Sequence, residues 1–428
     1  MTHLNSAESF SSLGLTEPLV RATRERGFEA PTRVQSAVIP SVLEGRDVWA
    51  CAPTGSGKTA AFVLPMLDAL GAREPRQDGR GRRAVSALVL CPTRELAAQT
   101  AAEIASLGKH LASPPDTHVV FGGVSINPQM LALRGGADLI VATPGRLLDL
   151  VSKNALSLAR VSTLVLDEAD RLLEQGFQEE LDRVLAALPE ERQTLLFSAT
   201  FPPAVEALAE AVLDAPERVE ITAEDDDAPD ITERVIEVDA PRRTQLLRHL
   251  LEESDADRVL VFVATTYATK HVARKLTDLG IAATALHGKL SQGARTGALE
   301  DLREGKVRVL VATDVAARGL DIDGLAMVVN YDLPRSPNDY RHRIGRTGRA
   351  SASGLAVSFV TADMHGHIRL IERRERRYFP REHVPGFEPE EEEISITRTD
   401  GTGGVKGKRK SKKDKLREAA ARGDVGGD

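Results

Sequence analysis

Short runs of apolar, β-branched-rich residues recur along the chain, each closed by a small or polar cluster and followed by a helical pattern. In the first half they occupy residues 47–51, 87–91, 138–142, 161–166 and 194–197. Their apolarity is continuous rather than alternating, which predicts strands covered on both faces and therefore a parallel α/β sheet. The rhythm stops at Glu224-Asp225-Asp226-Asp227-Ala228-Pro229, where clustered acids and a proline remove any core-forming period. Residues 216–232 are therefore expected to be a linker. The rhythm restarts at residues 258–263, 307–312, 325–331 and 355–360, predicting a second parallel α/β domain. Residues 88–93 and 260–265 both read strand, then threonine, then helix, a hint of a repeated architecture.

From Glu388 the pattern changes character. The chain is acidic to Glu393 and then basic, with Lys406, Lys408, Arg409, Lys410, Lys412, Lys413, Lys415 and Arg417 among glycines. Such a segment buries too little apolar surface to fold. A length of 428 residues with 42% hydrophobic composition suits two cores. The net charge of -7 argues against bulk nucleic-acid binding, so any such role must come from local positive potential. Cys51 and Cys91 each end an apolar run and are expected to be buried, inert thiols rather than a disulfide or metal pair. Neither a signal-like amino terminus nor a run of about 18 apolar residues is present, which predicts a soluble, cytoplasmic protein with no membrane partner.

The strongest chemical signal is Ala52-Pro53-Thr54-Gly55-Ser56-Gly57-Lys58-Thr59, set directly after a strand and before the helical run 60–70. Glycines let backbone N–H groups turn toward phosphate oxygens, Lys58 can meet the terminal phosphates of ATP, and the Thr59 hydroxyl can ligate Mg²⁺. Alanine stands first, where the general pattern has glycine. Downstream, Asp167-Glu168-Ala169-Asp170 follows the apolar run 161–166, at the carboxyl end of a buried strand, where open α/β sheets place their ligands. Asp167 would hold Mg²⁺, largely through water, and Glu168 would orient and deprotonate the attacking water. Taken alone, an acidic tetrad is an ordinary solvated helix start. Its place after a buried strand and downstream of Lys58 gives it the catalytic reading.

Together these residues resemble the DEAD-box RNA helicases, and the resemblance runs in order from Phe10 to about Pro389. Phe10, Gly27-Phe28, Pro31-Thr32 and Gln35 are similar to the family's adenine-reading segment. Pro92-Thr93-Arg94-Glu95-Leu96, Gly122-Gly123 and Thr143-Pro144-Gly145-Arg146 match its RNA-backbone motifs, and Ser198-Ala199-Thr200 its coupling motif. Gln292-Gly293-Ala294-Arg295, Ala312-Thr313-Asp314 through Arg318-Gly319-Leu320-Asp321, and His342-Arg343-Ile344-Gly345-Arg346-Thr347-Gly348-Arg349 follow in the family's order. Val384-Pro385-Gly386-Phe387-Glu388-Pro389 resembles the bacterial RhlE-type branch. Lys289, Arg341 and Ser351 depart from the common pattern at positions without an assigned role.

The resemblance implies two tandem RecA-like domains of parallel sheets flanked by helices, residues 37–215 and 233–389. An adenine-reading segment, residues 1–36, precedes them and a charged tail, residues 390–428, follows. It implies that the Gln35 amide pairs with the adenine edge and Phe28 stacks on the ring, that Gly319 and Asp321 lie by the ribose, and that Arg346 and Arg349 act as arginine fingers opposite Lys58. Asp170, Ser198, Thr200 and His342 would form a polar relay. Pro92, Thr93, Arg94, Gly122, Gly123, Thr143, Pro144, Gly145, Arg146, Gln292, Arg295, Thr313 and Asp314 would contact RNA without reading its sequence. The expected ligands are ATP, Mg²⁺ and RNA, and the expected state is a monomer. Three activities stay open: a local duplex unwinder, an ATP-gated RNA clamp or chaperone, and a DNA-translocating helicase. The tetrad together with Gln35 disfavours the third.

Overall fold

The computed structural model describes residues 9–53, 55–79, 81–221, 231–317, 325–334, 336–348 and 353–391. Strands β1 (Val48–Cys51), β2 (Ala87–Leu90), β3 (Thr117–Val120), β4 (Leu139–Ala142), β5 (Thr163–Leu166), β6 (Gln193–Ser198) and β7 (Glu217–Glu220) form one parallel sheet in the order β3-β4-β2-β5-β6-β1-β7. Strands β8 (Ile231–Glu237), β9 (Val259–Phe262), β10 (Ala283–Leu286), β11 (Val309–Ala312), β12 (Met327–Asn330), β13 (Gly354–Val360) and β14 (Arg381–Glu382) form a second in the order β10-β11-β9-β12-β13-β8-β14. Counted from its own first strand, the second sheet repeats the order of the first. The faint strand-threonine-helix echo in the sequence is thus the trace of a duplicated topology.

The interior strands form because both of their faces are apolar. In the first sheet Val48, Ala50, Val89, Val141, Val165 and Phe197 point into one core, beneath helix Lys58–Gly71. Trp49, Leu88, Leu90, Ile140, Leu164 and Leu196 point into a second core on the opposite face. The period of two sorts the side chains, and helices cover both sides. The second sheet does the same, with Val259, Val261, Val311 and Val329 on one face and Leu260, Phe262, Leu310 and Val328 on the other.

Two expected boundaries move. The stretch 216–232 opens on β7, which pairs with β1 from Val48↔Glu217 to Cys51↔Glu220, and closes on the first residues of β8. Only residues 221–230 separate the two strands, and 222–230 lie outside the described residues. The expected division at residues 36 and 37 falls inside helix Arg33–Leu43, while Phe10, Leu13, Leu15, Leu19 and Val34 are buried in the first core. The described part of the amino-terminal segment is therefore built into the first domain. The charged tail from residue 392 lies outside the described residues. No helix among the described residues is long and apolar enough to cross a membrane.

Candidate active site and nucleic-acid interface

The loop after β1 is shaped by two glycines in the left-handed region, Gly55 at φ 89° and Gly57 at φ 91°. Gly57 caps helix Lys58–Gly71, and a Cβ there would lie 2.5 Å from Gln35 Nε2. Ala52 needs no such freedom: it is buried, its φ is not left-handed, and its N–H donates to the Ser198 carbonyl at 3.2 Å. This explains why alanine serves at the first position. Lys58 is buried, and its ammonium donates to the carbonyls of Ala52 at 2.6 Å and Pro53 at 2.8 Å. Burial lowers its pKa, opposed by the charges of Asp167, Glu168 and Asp170.

Gln35 accepts from the Thr32 N–H at 2.9 Å and donates to the Gly57 carbonyl at 3.2 Å. It therefore ties the amino-terminal helix to the phosphate loop. Phe28 packs half-buried on the first core, its ring centroid 6.3 Å from that of Phe10. Ser56 and Thr59 lie on the loop and on the first turn of its helix; Thr54 is outside the described residues.

The acidic tetrad ends β5. Asp167 is 3% exposed, with its N–H donated to the Leu90 carbonyl at 3.0 Å. Burial, reinforced by the Glu168 charge, pushes its carboxyl up to about 7, and Oδ2 is buried with no hydrogen-bond partner. A buried carboxylate oxygen left in that state fits a divalent cation, whose charge offsets the desolvation. No cluster of three or more acids, histidines or cysteines able to hold a metal exists among the described residues. A one-carboxylate site completed by water and phosphate is the arrangement Mg²⁺ favours.

Glu168 adopts φ 51°, ψ 54°, a left-handed conformation strained for a residue with a Cβ, and caps helix Ala169–Glu174. Burial raises its pKa, and the largest opposing influence is the positive charge of Arg346, from the turn after helix Pro337–Ile344 in the second domain. The two domains thus share one electrostatic site. Asp170 accepts from Thr200 Oγ1 at 3.0 Å, and Ser198 Oγ donates to the Thr200 carbonyl at 2.7 Å, so three of the expected relay residues meet. His342 stands on helix Pro337–Ile344. Gly319, Asp321 and Arg349 lie outside the described residues.

The expected RNA-contacting residues gather at the carboxyl edges of both sheets. Thr93 caps helix Arg94–Gly108 by accepting from the Leu96 N–H at 3.2 Å, so Pro92 and Thr93 fix where Arg94 begins. Arg94 reaches across the cleft to donate to Gln292 at 3.2 Å. Gly123, at φ 80°, passes so close that a Cβ would lie 3.1 Å from Arg94 Nη1. The Gly122 N–H donates to Thr143 Oγ1 at 3.4 Å, while Pro144 and Gly145 open helix Pro144–Ser152. Buried Arg146 donates to the Val124 carbonyl at 2.8 Å and its Nε lies 3.7 Å from Asp149, while Nη1 has no hydrogen-bond partner. The Thr313 N–H donates to the Leu286 carbonyl at 3.3 Å.

Three pairings escape sequence reasoning. Buried Arg295 forms an ion pair with half-buried Glu95 of the other domain at 2.6 Å, and burial lowers the Arg295 pKa. Arg171, beside the tetrad, pairs with Asp339 across the cleft at 2.7 Å. Asp314 accepts twice from Arg343, at 2.5 and 2.7 Å. Its carboxylate is therefore engaged by a buried guanidinium, and any contact from Asp314 to RNA falls to its backbone. Glu95 and Arg343 each sit inside a recognised motif, but the partners they choose are distant in sequence. Cys51 and Cys91 are free, and burial pushes the Cys51 thiol up to about 11 and Cys91 well above its ordinary value, which makes both inert. Cys51 is half-buried rather than fully buried.

Comparison with known proteins agrees with this geometry. Residues 32–208 match the DEAD/DEAH box helicase family model and residues 242–351 the helicase conserved C-terminal domain. The DEAD-box ATP-dependent RNA helicase CshA of Bacillus cereus is 40% identical over 377 residues, covering 88% of this chain and 70% of that protein. The ATP-dependent RNA helicase DeaD of Klebsiella pneumoniae is 41% identical over 380 residues, covering 89% and 58%. Among solved structures, Saccharomyces cerevisiae Dbp5 bound to RNA and ADP BeF3 superposes with a TM-score of 0.78 at 32% identity, over 90% of this chain and 96% of that one. Mss116p bound to single-stranded RNA and AMP-PNP gives 0.77 at 28% identity, over 90% and 81%.

Proposed function

Because the chain belongs to the DEAD-box ATP-dependent RNA helicase family, we propose that it is an RNA-stimulated ATPase, hydrolysing ATP between its two domains and coupling closure on RNA to local unwinding of short duplexes. The observation that carries this reading is electrostatic. Buried Lys58 and Asp167 and half-buried Glu168 stand on one domain, and the charge that most favours ionised Glu168 comes from Arg346 on the other.

In this reading the loop N–H groups and Lys58 take the phosphates, the ammonium exchanging its carbonyl partners for phosphate oxygens. Glu168 accepts the proton of the attacking water, and its raised pKa is closer to the operating pH than an ordinary carboxylate would be. Arg346, with Arg349, neutralises charge on the transferring phosphoryl group, an effect of about 10³ to 10⁵ in related systems. Mg²⁺, when bound through Thr59 and, largely via water, Asp167, supplies further neutralisation at the phosphates. Gln35 and Phe28 would read adenine, with Gly319 and Asp321 at the ribose. Asp170, Ser198, Thr200 and His342 would relay closure between the sites.

RNA would lie along Pro92, Thr93, Arg94, Gly122, Gly123, Thr143, Pro144, Gly145 and Arg146 of one domain and Gln292, Arg295, Thr313 and Asp314 of the other. Its backbone is held and its sequence is not read. Within the stretch 216–232, residues 222–230 would serve as the linker, and the basic tail would add salt-sensitive affinity. The segment 384–389 supports placing the chain in the RhlE-type branch, and we assign it as a cytoplasmic monomer.

The test is the steady-state ATPase rate alone, with single-stranded RNA, and with DNA of the same sequence. RNA should stimulate strongly and DNA little; equal stimulation by both sinks the assignment. Stimulated hydrolysis with no strand separation on a short duplex would favour the RNA-clamp alternative.

A further inference from the structure

The motifs account for the charged residues at the carboxyl edge of the second sheet, but they leave one aromatic there unexplained. Helix Thr266–Asp278 follows β9 and is capped by Thr265, whose Oγ1 accepts from the Ala268 N–H at 3.1 Å. Its first turn stands on the same edge as Thr313, after β11, and the helix that carries Gln292 and Arg295, after β10. Tyr267 in that turn is 76% exposed, the most exposed large apolar side chain among the described residues. Its ring lies on the His271 imidazole, 5.7 Å between centroids and 14° between planes. The imidazole thus braces the phenol in an offset, near-parallel pair, and most of the ring stays open to solvent.

Residues three and four apart share a helix face, so Tyr267, Lys270, His271 and Arg274 form one stripe running away from the cleft, with Lys270 and Arg274 exposed. The stripe joins the cleft electrostatically. Buried His287 is held below its ordinary pKa chiefly by burial, and next by the charges of Lys270, Arg295 and Lys289, which places Lys270 in one positive field with Arg295. An open aromatic face between cations is what a single strand needs once its bases leave a duplex: a surface to stack on and charge for the phosphates.

We propose that Tyr267, backed by His271 and flanked by Lys270 and Arg274, is a stacking platform for one base of the RNA single strand, continuing the backbone-contacting edge of the second domain. The helicase would then hold its strand through a base as well as through phosphates, with a tolerance for any base that has a π face. The inference rests on RNA being the polymer bound in the cleft.

The test uses the full chain with a non-hydrolysable ATP analogue and a fluorescent RNA single strand, together with a set of the same strands each abasic at one position. Tyr267→Ala should weaken binding about 5- to 100-fold, the loss of one stacked base, and Tyr267→Phe should bind like the parent. One abasic position should weaken the parent by the same factor and leave Tyr267→Ala no weaker than before, the signature of a coupled pair. Ultraviolet crosslinking of the parent should attach RNA at Tyr267, a readout that needs no variant to fold. Parental affinity in Tyr267→Ala, equal losses on every abasic strand, or no crosslink at Tyr267 would overturn the platform, and the stripe would then fit a protein partner instead. Arg94→Ala separates the two levels of the argument: it should weaken all strands alike. A parent that binds no RNA would overturn the helicase reading itself, not merely this one.

Discussion

The two sheets share one strand order, yet equivalent strand ends do opposite work. In the first domain the end of β1 carries the glycine loop with Lys58, and the end of β5 carries the acidic tetrad. In the second, β8 ends toward Asp239, whose carboxylate accepts from the N–H groups of Glu390 at 3.0 Å and Glu391 at 3.1 Å. The end of β12 carries Asp332, which pairs with Arg243 at 2.5 Å and accepts from the Ala264 N–H at 2.8 Å. The acids at these two strand ends are thus consumed in holding the second domain's own loops together. What that domain sets against Glu168 and Glu95 at the shared cleft is positive charge, from Arg346 and Arg295. Duplication of a topology carries no duplication of chemistry.

If that division is right, Arg346→Ala should be the most damaging change, lowering RNA-saturated hydrolysis by about 10³ to 10⁵. The measurement is kcat with RNA affinity recorded alongside, and a fall of only a few-fold would reduce the second domain to a scaffold. Glu168→Gln should cost about 10² to 10⁴ in kcat while ATP and RNA still bind; turnover near the parental rate would refute the base assignment. Arg343→Ala should act on stability instead, because it strands Asp314 in a partly buried site, with about 3–5 kcal/mol expected from denaturant unfolding.

A gentler effect concerns pH. The Asp167 carboxyl titrates at about 7 when folded against 3.8 in the unfolded chain, so the folded state holds the extra proton between those values. Stability of the nucleotide-free protein should therefore fall as pH rises from about 4 to about 7, and Asp167→Asn should flatten that decline in unfolding midpoints taken across the range. The smallest effect belongs to Asp239→Ala. It should cost about 1 kcal/mol of stability and leave kcat unchanged, whereas a catalytic defect there would break the contrast between the two strand ends.

How much of this could be read in the sequence follows from how each strand is covered. Interior strands such as β2 and β9, buried at every position, announce themselves as continuous apolar runs. The strands that escaped notice are those at the sheet edges: β3 and β10, three of whose four residues are only half-buried, β7 with one buried residue, and the two-residue β14. Beside them, β8 carries charges at Glu233, Arg234 and Glu237 and passed for linker at its start. A strand covered on one side has no reason to be apolar throughout.

The site divides in the same way. The phosphate loop and the tetrad are contiguous, so their spacing is legible, and the structure brings Lys58, Asp167 and Glu168 into one charged cluster. Arg295 with Glu95, Arg171 with Asp339 and Arg343 with Asp314 are choices of partner made across long stretches of chain, and nothing local to either residue records them.

Those inconspicuous edges have a consequence of their own. Among the described residues, two open parallel sheets of the same order leave four margins, β3, β7, β10 and β14, each a template on which another strand could dock, from its own twin or from a second molecule. β7 is only four residues long and presents Glu217, Arg218 and Glu220, while β14 is a single Arg381–Glu382 pair. Short, charged selvedges of this kind let two near-identical fabrics sit side by side in one molecule without being stitched together.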